Sequence, residues 1–263
     1  MSESAATTVD WMISSDSHII EPPDLWTERI DASFRERAPR VVRDLESGGD
    51  WWHIDGKRSM SFLGVQTGDR FEKDATELVT ESRFEDVREA ADTPRRYLEE
   101  NRQDGVLGST IYPSEALLSY SIPDSALCSA TMRAYNDYIA EFCSEDRTRL
   151  KGIALVNVDD PNEAVGEMKR TRELGLAGAM ITVLPPADQP YDQPRYEPVW
   201  AAAVDLDMPI SMHVATGRRA LSPVEGQTST ARVSEAAFYL QDHFVRQSSG
   251  ELIFSGVFER HPK

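Results

Sequence analysis

At 263 residues with 40% hydrophobic content, the chain is long enough for one large α/β domain or two small ones around a substantial core. Its formal net charge of −17 argues against nucleic acid and anionic membranes as partners, although an acidic surface can also simply keep a protein soluble. The amino terminus lacks the basic and apolar regions of a signal peptide, and apolar runs such as 176–184 are too short to span a bilayer. We therefore expect a cytoplasmic protein that acts on a small molecule.

The first predicted strand, Trp11–His18, ends in an Asp-x-His motif. Residues i and i+2 of an extended chain point to the same side, so Asp16 and His18 can reach one point beyond the strand end. Two ligands of one metal ion require this arrangement. Taken alone, the motif is weak, because Asp16 could instead cap a turn and His18 could be a buried histidine with a hydrogen-bond partner.

An irregular insertion at about 27–93 follows this strand. Within it, two β-prone runs flank Asp55-Gly56-Lys57, a sequence typical of a hairpin turn. The insertion is predicted to be either a wall of the substrate site or a surface hairpin with no role in binding. Trp26 and His53 are its candidate substrate contacts, although packing is the alternative for His53.

Strands and helices alternate from about residue 104 onward. The predicted strands are Val106–Tyr112, Gly152–Val158, Ala177–Leu184 and Pro209–Val214, and the predicted helices are 123–143, 161–174, 198–206 and 235–246. Cys128 and Cys143 lie in the first of these helices without CxxC spacing, which predicts buried, reduced thiols. Near-continuous apolar strands separated by single helices indicate a parallel sheet covered on both faces, either a doubly wound sheet or a (β/α) barrel.

Barrel enzymes carry their catalytic groups at the carboxyl ends of the strands. Asp16, His18 and His213 all occupy such ends, and this coincidence favours the barrel. A doubly wound nucleotide-binding sheet is disfavoured because Ser17-His18-Ile19-Ile20 stands where a glycine-rich loop would follow the first strand.

Several stretches together resemble the amidohydrolase-related family that includes aminocarboxymuconate semialdehyde decarboxylase. They are Ser15–His18 with Glu21–Trp26, Tyr112-Pro113, the helix beginning Pro198-Val199-Trp200, and Pro209–His213. The resemblance implies a single α/β domain, a (β/α)₈ TIM barrel with one divalent metal, usually zinc. It also implies that Asp16, His18 and His213 are the metal ligands.

In this family a strand-six residue supplies acid–base chemistry and a strand-eight aspartate completes the metal ligands. This chain has a candidate for neither, so its catalytic acid or base is unknown. The family often has His-x-His or Glu-x-His here, and Asp16 replaces the first histidine of the commonest pattern. This harder oxygen ligand would shift metal preference from Zn²⁺ toward Mn²⁺ or Mg²⁺. Such an open site can lower the pKa of a bound water to about 7, or orient a carboxylated substrate as CO₂ departs.

The other polar candidates have weaker support. Arg218 and Arg219 could bind a substrate carboxylate, with surface charge as the alternative, and Glu21 and Asp24 could support the site or only a turn. The remaining histidines, His243 and His261, are predicted to lie on helices away from the chemistry.

Only five barrel strands are predicted, whereas a closed barrel of this type has eight. We therefore expect a fragment or shortened form of a longer enzyme, with a second copy or a partner covering the exposed edges as the alternative. The expected activity is non-oxidative decarboxylation of a small carboxylated or aromatic substrate by a homodimer. Hydrolysis of an amide, ester or C–C bond is one rival, and a catalytically inactive binding or assembly module is another.

Overall fold

The fold is described from a computed structural model, which covers residues 11–62, 74, 81–218 and 241–263. Its main feature is a five-stranded parallel sheet in which neighbouring strands follow chain order. These strands are β1 (Met12–His18), β5 (Val106–Tyr112), β6 (Leu150–Leu155), β7 (Gly178–Ile181) and β8 (Ile210–Met212). A doubly wound sheet reverses its strand order at a switch point, whereas a barrel adds each strand beside the last. The order therefore confirms the barrel-type prediction.

Helices connect the parallel strands. They are α2 (Pro94–Gln103) before β5, α3 (Ser125–Cys143) before β6, α4 (Pro161–Leu174) before β7 and α5 (Glu197–Asp205) before β8. The short α1 (Leu25–Arg29) follows β1, and α6 (Gln241–Phe254) and α7 (Val257–Arg260) follow β8. The start of the helix predicted at 235–246 lies outside the described residues. No helix in the described part of the chain is both long and apolar enough to cross a membrane.

Local sequence signals set the ends of these helices. The side chain of Asp124 accepts hydrogen bonds from the N–H groups of Ala126 and Leu127 at the start of α3. Asp160 caps α4 in the same way, with Pro161 in its first turn. Gly175 ends α4 with a φ of 94°, a left-handed conformation that glycine adopts without strain.

The core lies between the sheet and its helices, as the continuous apolar strands predict. Ile111, Ala154, Leu155, Ala179 and Ile181 are fully buried, and Cys128 and Cys143 are buried free thiols. β1 differs from the prediction of a buried strand, since Met12 and Ile13 are 58% and 66% exposed. The reason is its position at one end of the strand order, where a single neighbour, β5, covers it.

The predicted hairpin is present in the insertion. β2 (Arg40–Arg43), β3 (Asp50–Ile54) and β4 (Lys57–Ser61) form an antiparallel sheet. Asp55 and Gly56 both have positive φ, at 51° and 72°, as the two-residue turn of this hairpin type requires.

Candidate metal centre

The carboxyl ends of the two outermost parallel strands bring three predicted ligands together. Asp16 and His18 lie at the end of β1, and His213 follows β8 directly. One Asp16 Oδ1 atom lies 3.4 Å from His18 Nε2 and 3.7 Å from His213 Nε2. The candidate ligand atoms of the three side chains all lie within 4.8 Å of one another. The curled sheet therefore joins residues that are almost 200 positions apart in sequence.

Hydrogen bonds at the other ring nitrogen fix how each imidazole is presented. His18 Nδ1 donates to the Pro113 carbonyl at 2.7 Å, and His213 Nδ1 donates to the Val214 carbonyl at 2.8 Å. A carbonyl oxygen can only accept, so each Nδ1 carries a proton, and in the neutral ring this leaves the Nε2 lone pair for a ligand bond. Metal-binding histidines typically have this support.

Partial loss of hydration also favours the form of His18 that can bind a metal. Loss of hydration lowers the pKa of His18 below its ordinary value of 6.5, and the neighbouring His213 lowers it further. The Pro113 carbonyl and Asp16 act in the opposite direction without reversing the shift. The net shift favours the neutral imidazole of His18.

The loop that carries His213 is held by a buried hydroxyl. Thr216 Oγ1 donates to the His213 carbonyl at 2.8 Å and accepts the Val183 N–H at 2.9 Å, so it connects the ends of β7 and β8. Ala215 between them has a φ of 66°, which an alanine rarely adopts. The loop geometry therefore costs some free energy, which the surrounding contacts offset. A threonine three residues after a strand-end histidine gives no recognisable sequence signal.

Tyr112 is a second residue to which sequence reasoning assigned no site role. It ends β5 opposite His18, and its ring centroid lies 6.3 Å from that of His18 and 5.6 Å from that of His213. The ring is half-buried and leaves an aromatic surface beside both imidazoles. The sequence did place Tyr112 at a strand end, which is the signal that could have identified it.

The three predicted substrate contacts do not lie together at this centre. Trp26 is 1% exposed in the core, where its indole N–H donates to the Thr131 carbonyl at 3.0 Å. This placement does not support a substrate contact, because the side chain is covered on all sides by protein. His53 is half-buried on β3 of the hairpin sheet, outside the three-residue ligand group.

Arg218 has its hydrogen-bonding capacity taken up by the protein. Its side chain is 6% exposed and makes a two-point contact with Asp159, with Nε 3.0 Å from Oδ1. Its Nη1 also donates to the carbonyls of Tyr120 and Ile122. The prediction of a free arginine for a substrate carboxylate is therefore corrected: in this structure Arg218 links the loops after β5, β6 and β8. Arg219 lies outside the described residues.

We expect Arg218→Met to destabilise the protein by up to about 3–5 kcal/mol, because the half-buried carboxylate of Asp159 loses its buried charged partner. Chemical denaturation of the variant measures the change. Adding Asp159→Asn removes the uncompensated charge and should recover a large part of the loss. Equal stability of wild type and Arg218→Met would show that the pair has no structural role.

The remaining polar candidates lie outside the group formed by Asp16, His18 and His213. Glu21 is fully buried and accepts three backbone hydrogen bonds, while Asp24 precedes α1 without a side-chain cap. His243 is exposed on α6, and His261 follows α7 with Nε2 3.0 Å from Glu197 Oε2. Both of these histidines lie on or beside helices away from the ligand group, as predicted.

These features define a half-open parallel barrel with a potential metal centre at its strand ends. The amidohydrolase family model matches residues 123–263, more than half of the chain, and the chain belongs to this family. A curated relative, γ-resorcylate decarboxylase from Rhodococcus jostii, is 29% identical over 157 residues. The match covers 54% of this chain and 45% of the relative, so it spans about half the length of that enzyme.

Solved structures show the same fold. An amidohydrolase from Mycobacterium avium subsp. paratuberculosis superposes with a TM-score of 0.70 at 19% identity, over 96% of this chain and 71% of the other. Dihydroxybenzoic acid decarboxylase from Polaromonas, solved with manganese and the inhibitor 2-nitroresorcinol, gives a TM-score of 0.54 at 18% identity, over 96% and 63% of the two chains. At these identities the likeness establishes the barrel architecture alone.

Proposed function

We propose that this chain is part of a metal-dependent, non-oxidative decarboxylase of small hydroxylated aromatic acids. The observation that carries the proposal is the convergence of Asp16, His18 and His213 at the strand ends, with both Nε2 atoms close to the Asp16 carboxylate and each Nδ1 hydrogen-bonded to a backbone carbonyl. The decarboxylase activity named for the relatives supports the choice of reaction. The proposed substrate class follows from the same relatives.

The three side chains suit one divalent cation. A carboxylate oxygen and two imidazole nitrogens are donors that manganese, zinc and related ions accept. A bound ion would orient the substrate carboxylate and polarise the groups around it as CO₂ departs. Asp16 is the most exposed of the three ligands, with its side chain 64% exposed, so it lies on the open side from which a substrate would enter.

Manganese is the metal that we assign. The oxygen donor of Asp16 is harder than the imidazole nitrogen of the histidine more common at this position. Carboxylate oxygens are donors that suit Mn²⁺. The decarboxylase from Polaromonas was solved with manganese, which also supports this choice. Zinc, the first expectation from the family resemblance, is the alternative metal.

Tyr112 is assigned to the substrate site. Its ring lies beside both imidazoles, and an aromatic acid whose carboxylate reaches the metal would place its own ring close to this surface. This contact would favour aromatic over aliphatic acids.

A carbon dioxide assay distinguishes decarboxylation from hydrolysis. We expect the manganese-loaded protein to release one CO₂ for each resorcinol formed from 2,6-dihydroxybenzoate, since the C–C bond to the carboxylate breaks and a proton takes its place on the ring carbon. In H₂¹⁸O, a panel of aryl esters and lactones tests the hydrolytic alternative, because hydrolysis places ¹⁸O in the product acid.

A His243→Ala variant is the matched control, because this histidine is exposed on α6, outside the ligand group. It should release CO₂ at the wild-type rate. Incorporation of ¹⁸O without CO₂ release would assign the chain to the hydrolases. Absence of both reactions in a metal-loaded, folded protein would overturn the proposal and favour a binding module.

A further inference from the structure

We propose that Glu21 is a positioning residue that fixes the ring orientation and tautomer of His18 through the backbone of residues 113–116. The inference rests on the proposed function, since it concerns how a metal ligand is presented. Glu21 itself is not among the side chains that would contact the metal, which are Asp16, His18 and His213.

The carboxylate of Glu21 is enclosed by protein and bound to one short backbone segment. Its Oε1 accepts the N–H groups of Ser114 at 3.2 Å and Ala116 at 3.0 Å, and its Oε2 accepts the N–H of Glu115 at 2.9 Å. The residue is 0% exposed. Enclosing a carboxylate costs several kcal/mol unless hydrogen bonds replace its lost hydration, and these three bonds replace part of it.

This segment begins at the residue that controls His18. The Pro113 carbonyl, which accepts the His18 Nδ1–H at 2.7 Å, belongs to the peptide group whose N–H, on Ser114, donates to Glu21. A peptide group is planar and rigid, so holding its N–H fixes the direction of its carbonyl. Glu21 therefore determines where the acceptor for His18 lies.

Glu21 also belongs to the same loop as His18. It lies three residues after the end of β1, with Ile19 and Ile20 buried in the core between them. The ends of β1 and β5 are thus connected at two points, once through the His18 ring and once through the Glu21 carboxylate. The ligand and its acceptor move as one unit.

A glutamine at position 21 tests this role with almost no change in size. Its amide nitrogen is a donor and faces a backbone N–H in either orientation, so at least one of the three bonds is lost and the segment that begins at the Pro113 peptide group is held less firmly. Replacing a buried charge by a neutral group is often neutral or stabilising for the whole fold. Stability and site geometry are therefore expected to respond differently.

The first measurement uses metal-free protein labelled with ¹⁵N-histidine. The chain has five histidines, and a His18→Ala variant assigns the His18 signal. We expect wild-type His18 to be in the Nδ1–H form and Glu21→Gln to give a mixture of the two tautomers. Glu167→Gln is the matched control, because Glu167 is also buried but bonds Asn136 and Arg170 within the helical layer.

The second measurement is Mn²⁺ affinity by calorimetric titration. We expect Glu21→Gln to bind about 10–100-fold more weakly, the usual effect of losing support around a metal ligand, and Glu167→Gln to bind as wild type does. An unchanged His18 tautomer together with an unchanged affinity in Glu21→Gln would overturn the inference. If that variant does not fold, Glu21→Asp decides by the same two readouts, since it keeps the charge but shortens the reach.

Failure of the proposed function would look different. Wild-type protein that binds no Mn²⁺ would contradict the metal centre, yet the tautomer comparison in metal-free protein would still test the role of Glu21.

Discussion

Mn²⁺ affinity should fall by about 100-fold or more when His18 and His213 are both replaced by alanine. Loss of a single residue that supports a metal ligand typically lowers metal affinity about 10–100-fold, and here two of the three proposed ligands are removed. Asp16 alone would remain, with its side chain 64% exposed, and an exposed single carboxylate holds a divalent cation only weakly. Calorimetric titration of chelator-treated protein, followed by elemental analysis, measures the change.

The fold should survive this double substitution. Both histidines lie at the strand ends and not among the buried apolar residues of the core, so neither removal creates a large cavity. His243→Ala, an exposed change on α6, should keep wild-type affinity and shows whether the loss is specific. Stoichiometric Mn²⁺ in the folded double variant would mean that the metal binds at another site.

The parallel sheet could be predicted from sequence because its signal is strong and local. Four apolar runs, each followed by a proline or a polar loop, alternate with amphipathic helices that carry Asp and Gly caps. Three predicted strands extend past the observed ones at their carboxyl ends: Gly152–Val158, Ala177–Leu184 and Pro209–Val214. Val183 and Leu184, for example, are buried but lie beyond β7, because apolar burial continues where the chain has already left the sheet.

The convergence of Asp16, His18 and His213 was also predictable, since it depends on two sequence rules and on the curvature of the sheet. Alternation along β1 places Asp16 and His18 on one side, and parallel strands bring their carboxyl ends to one edge. The closeness of His213 then follows from the curvature of the sheet, which brings β8 near β1 although three strands separate them in the order.

The predicted substrate contacts show where such rules stop. Arg218 follows His213 closely in sequence, yet its side chain turns to Asp159, and nothing in the sequence pairs these two residues. Glu21 reads as an ordinary polar residue before Pro22-Pro23, although its carboxylate is enclosed and bound to three N–H groups. Burial raises the pKa of Glu21 to about 7 against the effect of those bonds. Side-chain burial of this kind depends on tertiary packing that no local pattern records.

The corrected position of Trp26 leads to the second large effect. We expect Trp26→Ala to lower the free energy of unfolding by about 3–5 kcal/mol, the usual cost of removing a large aromatic side chain from a core. The indole packs edge-to-face on Trp52 with centroids 5.2 Å apart, so α1 also loses its contact with the hairpin sheet. Urea denaturation followed by circular dichroism measures the change.

Two further variants separate packing from substrate binding. Trp11→Ala, at a tryptophan that is 47% exposed, should change stability by no more than about 0.5 kcal/mol, which shows that the loss depends on burial. Trp26→Phe keeps most of the volume but leaves the Thr131 carbonyl without its indole donor, so it should cost about 1–3 kcal/mol while leaving the affinity for 2,6-dihydroxybenzoate unchanged. A core residue gives this pattern because its side chain acts on the packing of α1 and not on the ligand. Weakened substrate affinity in a Trp26→Phe protein of wild-type stability would instead restore Trp26 to the substrate site.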